Sequence, residues 1–186
     1  MKRALPILGL VVVAGIAGWA GLKFGERYNP MGWPPEQEAP RGLEVAREGD
    51  LAPPITLPDL HGEPRALSDW LGRPVLVNFW ASWCGPCIEE MPLLDGFAQE
   101  QGAEGVQVIG IALDNQADVE AFLADLPVRY TILMDQPGPA DSSVQLGNSR
   151  GVLPYSVLLD AEGRVLREKL GVFTRRELAD WARLVE

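Results

Sequence analysis

The chain holds two cysteines, Cys84 and Cys87, with only Gly85 and Pro86 between them. Two thiols at this spacing can close into a disulfide and reopen as a dithiol, so the pair can trade two electrons with another thiol or disulfide. A purely structural disulfide is the bland alternative, but so short a loop constrains the unfolded chain little. Half of a zinc site is another, and it lacks its other half. The only histidine, His61, has no partner ligand nearby in sequence and reads as a surface turn residue. Redox exchange needs nothing beyond the pair. A carboxylate stands close by: Glu90 follows Cys87 by three positions, which puts both on one face of a helix. If buried, Glu90 has a raised pKa and can take the Cys87 proton directly or through water. The alternative is an ordinary surface charge, and one of the neighbours Glu89 and Glu90 should face solvent.

The elements that position the pair are legible on either side of it. Val75 to Trp80 is a continuous apolar run rich in β-branched and aromatic residues, the pattern of a strand buried on both faces. Ala81-Ser82-Trp83 is a short turn. Ile88, Met91, Leu94 and Phe97-Ala98 then recur at helical spacing. The cysteines therefore sit where a central strand hands over to a helix, and Pro86 is tolerated in the first turn. Cys84, at the helix start, faces free N–H groups and the positive end of the dipole. It should have a lowered pKa and act as the nucleophile. Cys87, about one turn further in, should be more buried and resolve the mixed disulfide. Trp80 reads as core and Trp83 as a partly exposed wall beside Cys84. Pro92 should kink the helix.

The rest of the chain alternates strands and helices. Pro53 to Leu60 is extended, His61 to Pro64 turns, and Arg65 to Leu67 returns as a small hairpin. Ser68 should cap a single helical turn ending at Gly72. Val106 to Leu113 is a second buried strand, followed by a helix capped by Asp114 or Asn115 and running to about Leu126. Thr131 to Met134 is a strand, and Ala140 to Leu146 a short helix ending at Gly147. Gly151 to Asp160 carries Pro154 just ahead of another buried strand. A turn at Ala161-Glu162-Gly163 leads into Val165 to Leu170. Thr174 and Glu177 form a capping box for a last helix, whose buried stripe is Leu178, Trp181 and Leu184-Val185.

The stretch Asn78-Phe79-Trp80-Ala81-Ser82-Trp83-Cys84-Gly85-Pro86-Cys87, with Glu90 and Pro92 after it, resembles the thioredoxin superfamily. More closely it is similar to the membrane-tethered TlpA/ResA branch of thiol-disulfide oxidoreductases, from about Asp50 to the C-terminus. The resemblance implies an α/β fold: a thioredoxin-like three-layer α/β/α sandwich with a central mixed sheet and an N-terminal β-hairpin, here preceded by a transmembrane helix. It implies that Glu90 manages protons in place of the buried Asp that thioredoxin usually has where this chain has Asn78. It further implies that Pro154 is a cis-proline, with the Leu153 backbone beside Cys84, where an extended substrate pairs as an added strand. Trp83, Leu153 and Pro154 are thus the expected substrate contacts. Family members often carry Thr or Val around the cis-proline; Leu153 and Tyr155-Ser156 depart from that, which bears on the substrate and not on the chemistry.

Three segments are expected: a membrane anchor at 1–24, a Pro-rich linker at 25–49 and the thioredoxin-like domain at 50–186. Lys2 and Arg3 precede nineteen uncharged residues, Ala4 to Leu22, about the length of a spanning helix, and favour an exported remainder. A cleaved signal peptide is the alternative. The reading is a single-pass protein of the cytoplasmic membrane with its catalytic domain in the periplasm. With 186 residues and a net charge of −10, the chain supports one domain plus an appendage and argues against nucleic acid as partner. No cofactor or metal is expected. The resemblance implies reduction of protein disulfides, with a membrane thiol donor of the DsbD or CcdA type and with apocytochrome c or a copper-site protein as target. Two other classes compete. A thiol peroxidase on this scaffold uses a Thr and a Pro ahead of the attacking cysteine, where this chain has Trp80 to Trp83. A copper-binding chaperone typically adds a late histidine, which this sequence lacks.

The Gly85-Pro86 pair matches thioredoxin, so the expected potential is reducing, on the order of −270 mV. Replacing Gly85→Pro and Pro86→His together should raise it when measured by equilibration with a glutathione buffer. An unchanged potential would show that the dipeptide does not tune the pair.

Overall fold

The computed structural model describes residues 32 and 34–185. The chain divides into two units, residues 1–34 and 35–186, and the sheet and helices described below belong to the second. The expected anchor at 1–24 lies outside the described residues. Among the described residues no helix is long and apolar enough to cross a membrane.

The apolar run at the centre of the sequence becomes the centre of the sheet. Strand β3 (Val75–Trp80) is buried at every position. It pairs in parallel with β4 (Gln107–Leu113), and β4 pairs in parallel with β5 (Thr131–Asp135). On its other side β3 pairs antiparallel with β6 (Tyr155–Leu159), which pairs antiparallel with β7 (Val165–Leu170). The order is β5-β4-β3-β6-β7, a mixed sheet. A separate antiparallel hairpin, β1 (Thr56–Pro58) and β2 (Pro64–Ala66), precedes it, as expected, with exposed His61 in the turn between.

Side chains alternate across β3, so two apolar layers form. Leu76 and Trp80 face the long helix α1 (Gly85–Gln101), which contributes Cys87, Met91, Leu94 and Phe97. The same layer takes Val119 of α2 (Gln116–Asp125) and Leu178 and Ala182 of α4 (Arg175–Ala182). Val75, Val77 and Phe79 face the other way, onto Ile55, Leu67 and Leu146. That second layer is closed by the hairpin region, a 3-10 turn (Leu67–Trp70) and the end of the short helix α3 (Ser142–Gln145). The helices are thus unequally shared: the three longer ones cover one face and the single short one lies at the other.

Two local readings are corrected. The turn after the hairpin starts at Leu67, not at a Ser68 cap. Ala66 precedes it, and the Asp69 carboxylate reaches back to the Ala66 N–H at 3.2 Å, because a side chain at the third helical position can close the turn as well as one before it. The last helix stops at Ala182, so Leu184 lies beyond it and is 49 % exposed rather than part of the buried stripe. Helix α1 continues through Pro92. Residues 37–49 of the stretch read as a linker lie against the sheet and its helices. Gln37 N–H donates to the Ser149 carbonyl, Ala46 N–H to that of Gln145 and Gly49 N–H to that of Val165, each at 2.8 Å, and Ala46 is buried.

One row of the sheet governs what fits beneath α1. Gly110 on β4, Asn78 on β3, Ser156 on β6 and Lys169 on β7 are successive register partners and share a face. Gly110 has no side chain because none fits. A β-carbon there would stand 2.7 Å from Ile132 Cδ1, 3.0 Å from Tyr130 Cε2 and 3.1 Å from Trp80 Nε1. Gly110→Ala should therefore destabilise the domain by about 1–3 kcal/mol, as overpacking does. Urea unfolding of the oxidised protein checks this, and an unchanged midpoint would show that the neighbours yield freely.

Candidate active site

The Ala81-Ser82-Trp83 turn carries the chain from the end of β3 to the start of α1, and Cys84 is the residue that caps the helix. Its sulfur accepts a hydrogen bond from Cys87 N–H at 3.3 Å. First-turn N–H groups have no intrahelical partner, so they and the dipole favour negative charge on this sulfur once the disulfide opens. The two cysteines are joined, with an S–S distance of 2.00 Å. Cys87 is fully buried and Cys84 nearly so, while Gly85 and Pro86 are exposed. Trp83 stands out from the surface at 68 % exposure.

The turn is held by a residue that the sequence reading assigned elsewhere. Asp114 was a candidate helix cap, but Asn115 performs that role, accepting from Asp118 N–H. Asp114 instead points at the active-site turn. One of its carboxylate oxygens accepts from Ser82 N–H at 2.9 Å and from Ser82 Oγ–H at 2.6 Å. Parallel strands β3 and β4 end side by side, with Trp80 opposite Ala112, so the residues just past each end meet. An acidic residue directly after a buried strand parallel to β3 was the available signal.

Glu89 and Glu90 separate as one exposed and one buried residue, and it is Glu90 that goes inside, at 1 % exposure. One carboxylate oxygen accepts from Asn78 Nδ2 at 2.8 Å and the other from the Phe173 backbone N–H at 2.9 Å. Burial pushes the Glu90 carboxyl above the ordinary glutamate range. The Phe173 and Asn78 hydrogen bonds and the positive charge of Lys169 oppose that rise without cancelling it. Asn78 also donates to Ser156 Oγ at 3.0 Å, and its own oxygen has no protein partner. An amide suits this position because it can present either end. Turned over, its oxygen accepts from a protonated Glu90 and from the Ser156 hydroxyl. An aspartate here would add a second buried charge of the same sign.

The Leu153–Pro154 peptide bond is cis, directly before β6. Leu153 packs against the core layer that holds Cys84, and it lines a cleft of about 350 Å³ together with Trp83, Leu113, Pro139 and Val144. Trp83, Cys84 and Leu153 thus converge, with Cys87 and Glu90 behind them. His61 lies in the hairpin turn and is not among the residues gathered here.

The Redoxin family profile matches residues 47–184. ResA, a thiol-disulfide oxidoreductase of Bacillus cereus, is 29 % identical over 188 aligned positions spanning 100 % of this chain and 99 % of that protein. The thiol:disulfide interchange protein HelX of Rhodobacter capsulatus is 34 % identical over 179, covering 94 % of this chain and 90 % of that one.

The chain belongs to the Redoxin family.

Within it, this Redoxin domain is a thiol-disulfide oxidoreductase of the ResA and HelX type, with Cys84 and Cys87 as its cysteine pair. The solved structure of a secreted thiol-disulfide isomerase from Corynebacterium glutamicum matches it with a TM-score of 0.64 at 27 % identity, over 81 % of this chain and 96 % of that one.

The raised Glu90 carboxyl gives this Redoxin domain a testable pH signature. An acid that binds its proton more tightly when folded supports the fold fully below the unfolded glutamate value, about pH 4, and loses that support as pH rises through its folded value. Glu90→Gln, which keeps the neutral hydrogen-bonding pattern, should therefore gain stability relative to the native chain as pH rises from 4 to 8. Urea unfolding of the two oxidised proteins across that range is the measurement. A difference independent of pH would mean that Glu90 ionises normally.

Proposed function

We propose that this protein is a membrane-tethered reductase of protein disulfides working on the outer side of the cytoplasmic membrane. The observation that carries the reading is a carboxyl group buried one turn beyond Cys87, behind a sulfur that caps a helix. A structural disulfide needs no such group, whereas a dithiol that cycles must place and recover protons.

The reaction follows from the arrangement. The Cys84 thiolate attacks one sulfur of a target disulfide. That bond breaks, a mixed disulfide forms, and the second target sulfur leaves as a thiolate and takes up a proton. Cys87 gives its proton to Glu90 and attacks the Cys84 sulfur. The Cys84–Cys87 bond forms and the remaining target sulfur is released and protonated. Two electrons pass to the target, so each cycle requires a dithiol donor to reopen the pair. The target segment lies extended along Leu153 and Pro154, pairing with the Leu153 backbone, with Trp83 as the opposite wall.

The setting rests on the sequence. The apolar stretch Ala4 to Leu22 is the anchor, and the domain faces the periplasm. A membrane thiol carrier of the DsbD or CcdA type supplies electrons. Apocytochrome c or a copper-site protein is the target, as the resemblance to the TlpA/ResA branch implies.

Trapping tests the proposal. A full-length Cys87→Ala variant, expressed in its own host, should accumulate mixed disulfides through Cys84 that dithiothreitol releases, and Cys84→Ala should accumulate none. Recovery of no disulfide-linked partner from the Cys87→Ala protein would sink the reductase reading.

A further inference from the structure

One of the two donors to the Glu90 carboxylate, the Phe173 N–H, comes from the loop between β7 and α4, which takes no part in the cysteine motif. We propose that Lys169 is a positioning residue of the thiol–disulfide reaction: it holds the Phe173 backbone against Glu90 and brings positive charge to the buried carboxylate. The inference rests on the reading of Glu90 as the proton acceptor.

The sheet register places Lys169 where it can act. It is the partner of Ser156, which is the partner of Asn78, so all three side chains leave the sheet on the Glu90 side. A lysine on an outer strand usually runs to solvent. Here its side chain is only 20 % exposed and turns along the loop between β7 and α4. Its Nζ donates to Glu177 at 2.7 Å and lies 5.5 Å from the centre of the Phe173 ring. The other Glu177 oxygen accepts from Thr174 N–H at 2.7 Å and from Thr174 Oγ1–H at 2.8 Å. Thr174 directly follows Phe173, whose N–H meets Glu90 and whose ring stands edge-on to Trp181 at 4.9 Å. Lys169, Glu177 and Thr174 therefore fix the peptide that supplies one of the two donors to Glu90.

The charge acts in the same direction as the hydrogen bonds. Positive charge near a buried carboxylate favours its ionised form, so Lys169 keeps Glu90 able to accept a proton in a site that otherwise disfavours the anion. The groups facing Glu90 are few. They are the Asn78 amide from β3, the Ser156 hydroxyl from β6, Lys169 from β7, the Phe173 N–H, Cys87 on its own helix, and the Tyr130 phenol ahead of β5, with Glu177 of α4 behind Lys169. The Lys169 hydrogen bond, with help from Thr174, holds Glu177 down to about 2, so it stays ionised throughout the working range. Burial holds the Tyr130 phenol far above that range, so it stays neutral. Apart from the thiols, Glu90 is the group in this set whose proton affinity burial raises above the ordinary carboxylate range while the neighbouring positive charge opposes the rise.

The test is the pH profile of insulin disulfide reduction by the full chain in detergent, with dithiothreitol as donor. Four proteins are compared: native, Glu90→Gln, Lys169→Met and Lys169→Arg. The native profile should show an acid limb, where protonated Glu90 cannot accept the Cys87 proton, and Glu90→Gln should abolish that limb. Lys169→Met should move the limb upward by about half a pH unit, a roughly threefold loss of rate on the limb, and Lys169→Arg should restore it. Lys169→Gln serves as a second neutral variant if the Met protein folds poorly. A purely structural role for Lys169 would change the unfolding midpoint and leave the limb where it is. If Glu90→Gln abolishes the limb and neither neutral Lys169 variant moves it, the Lys169 assignment alone is overturned. If Glu90→Gln leaves the limb unchanged, the proton-acceptor reading has failed and the Lys169 assignment falls with it.

Discussion

A carboxyl group sealed under a helix is the constraint around which this domain is arranged. Taken from water without partners, an ionised carboxylate is strongly disfavoured, and in practice it neutralises or finds hydrogen bonds. Glu90 finds two, from an amide on the central strand and from a backbone N–H beyond the last strand. Those donors lie 12 and 83 residues away in sequence, so the site exists only when β6 and β7 are in place beside β3. Stability and chemistry are therefore coupled: the burial that weakens the anion also raises its affinity for a proton.

The reactive sulfur owes its character to a different feature, the strand–helix junction. A helix start offers unpaired N–H groups, and β3 delivers Cys84 to that start through a three-residue turn. Asp114 fixes the turn from the neighbouring parallel strand by holding both hydrogen-bonding groups of Ser82. On the other side of β3, the antiparallel strand β6 begins at the cis Pro154, and Leu153 faces the cleft shared with Trp83. The parallel and antiparallel neighbours of β3 thus bring two loops from opposite directions to one edge, which is where the disulfide lies.

Gly110, Asn78, Ser156 and Lys169 illustrate how a single row of a sheet can carry a function. The glycine leaves room for Trp80, Tyr130 and Ile132, the amide and hydroxyl adapt to either protonation state, and the lysine supplies charge from the outer strand. Each choice is ordinary taken alone. Their meaning comes from register, which aligns residues up to 91 positions apart onto one line beneath α1.

What the sequence by itself determined was local. Cys84-Gly85-Pro86-Cys87 between a β-branched run and a helical period already specified a redox pair at a strand–helix junction. Thr174 with Glu177, and the hairpin around His61, were equally readable, because capping boxes and turns are short-range chemistry. Which of Glu89 and Glu90 turned inward, why Asp114 left the capping role to Asn115, and what Lys169 faced were settled by tertiary structure alone. Burial, register and the meeting of loops depend on strands far apart in the chain, and helical or strand periodicity carries no information about which distant element will lie opposite. The second half of the stretch read as a linker follows the same logic. Its polar, proline-rich composition shows no periodicity, yet its backbone N–H groups find carbonyls of α3 and β7 that only the folded sheet puts within reach.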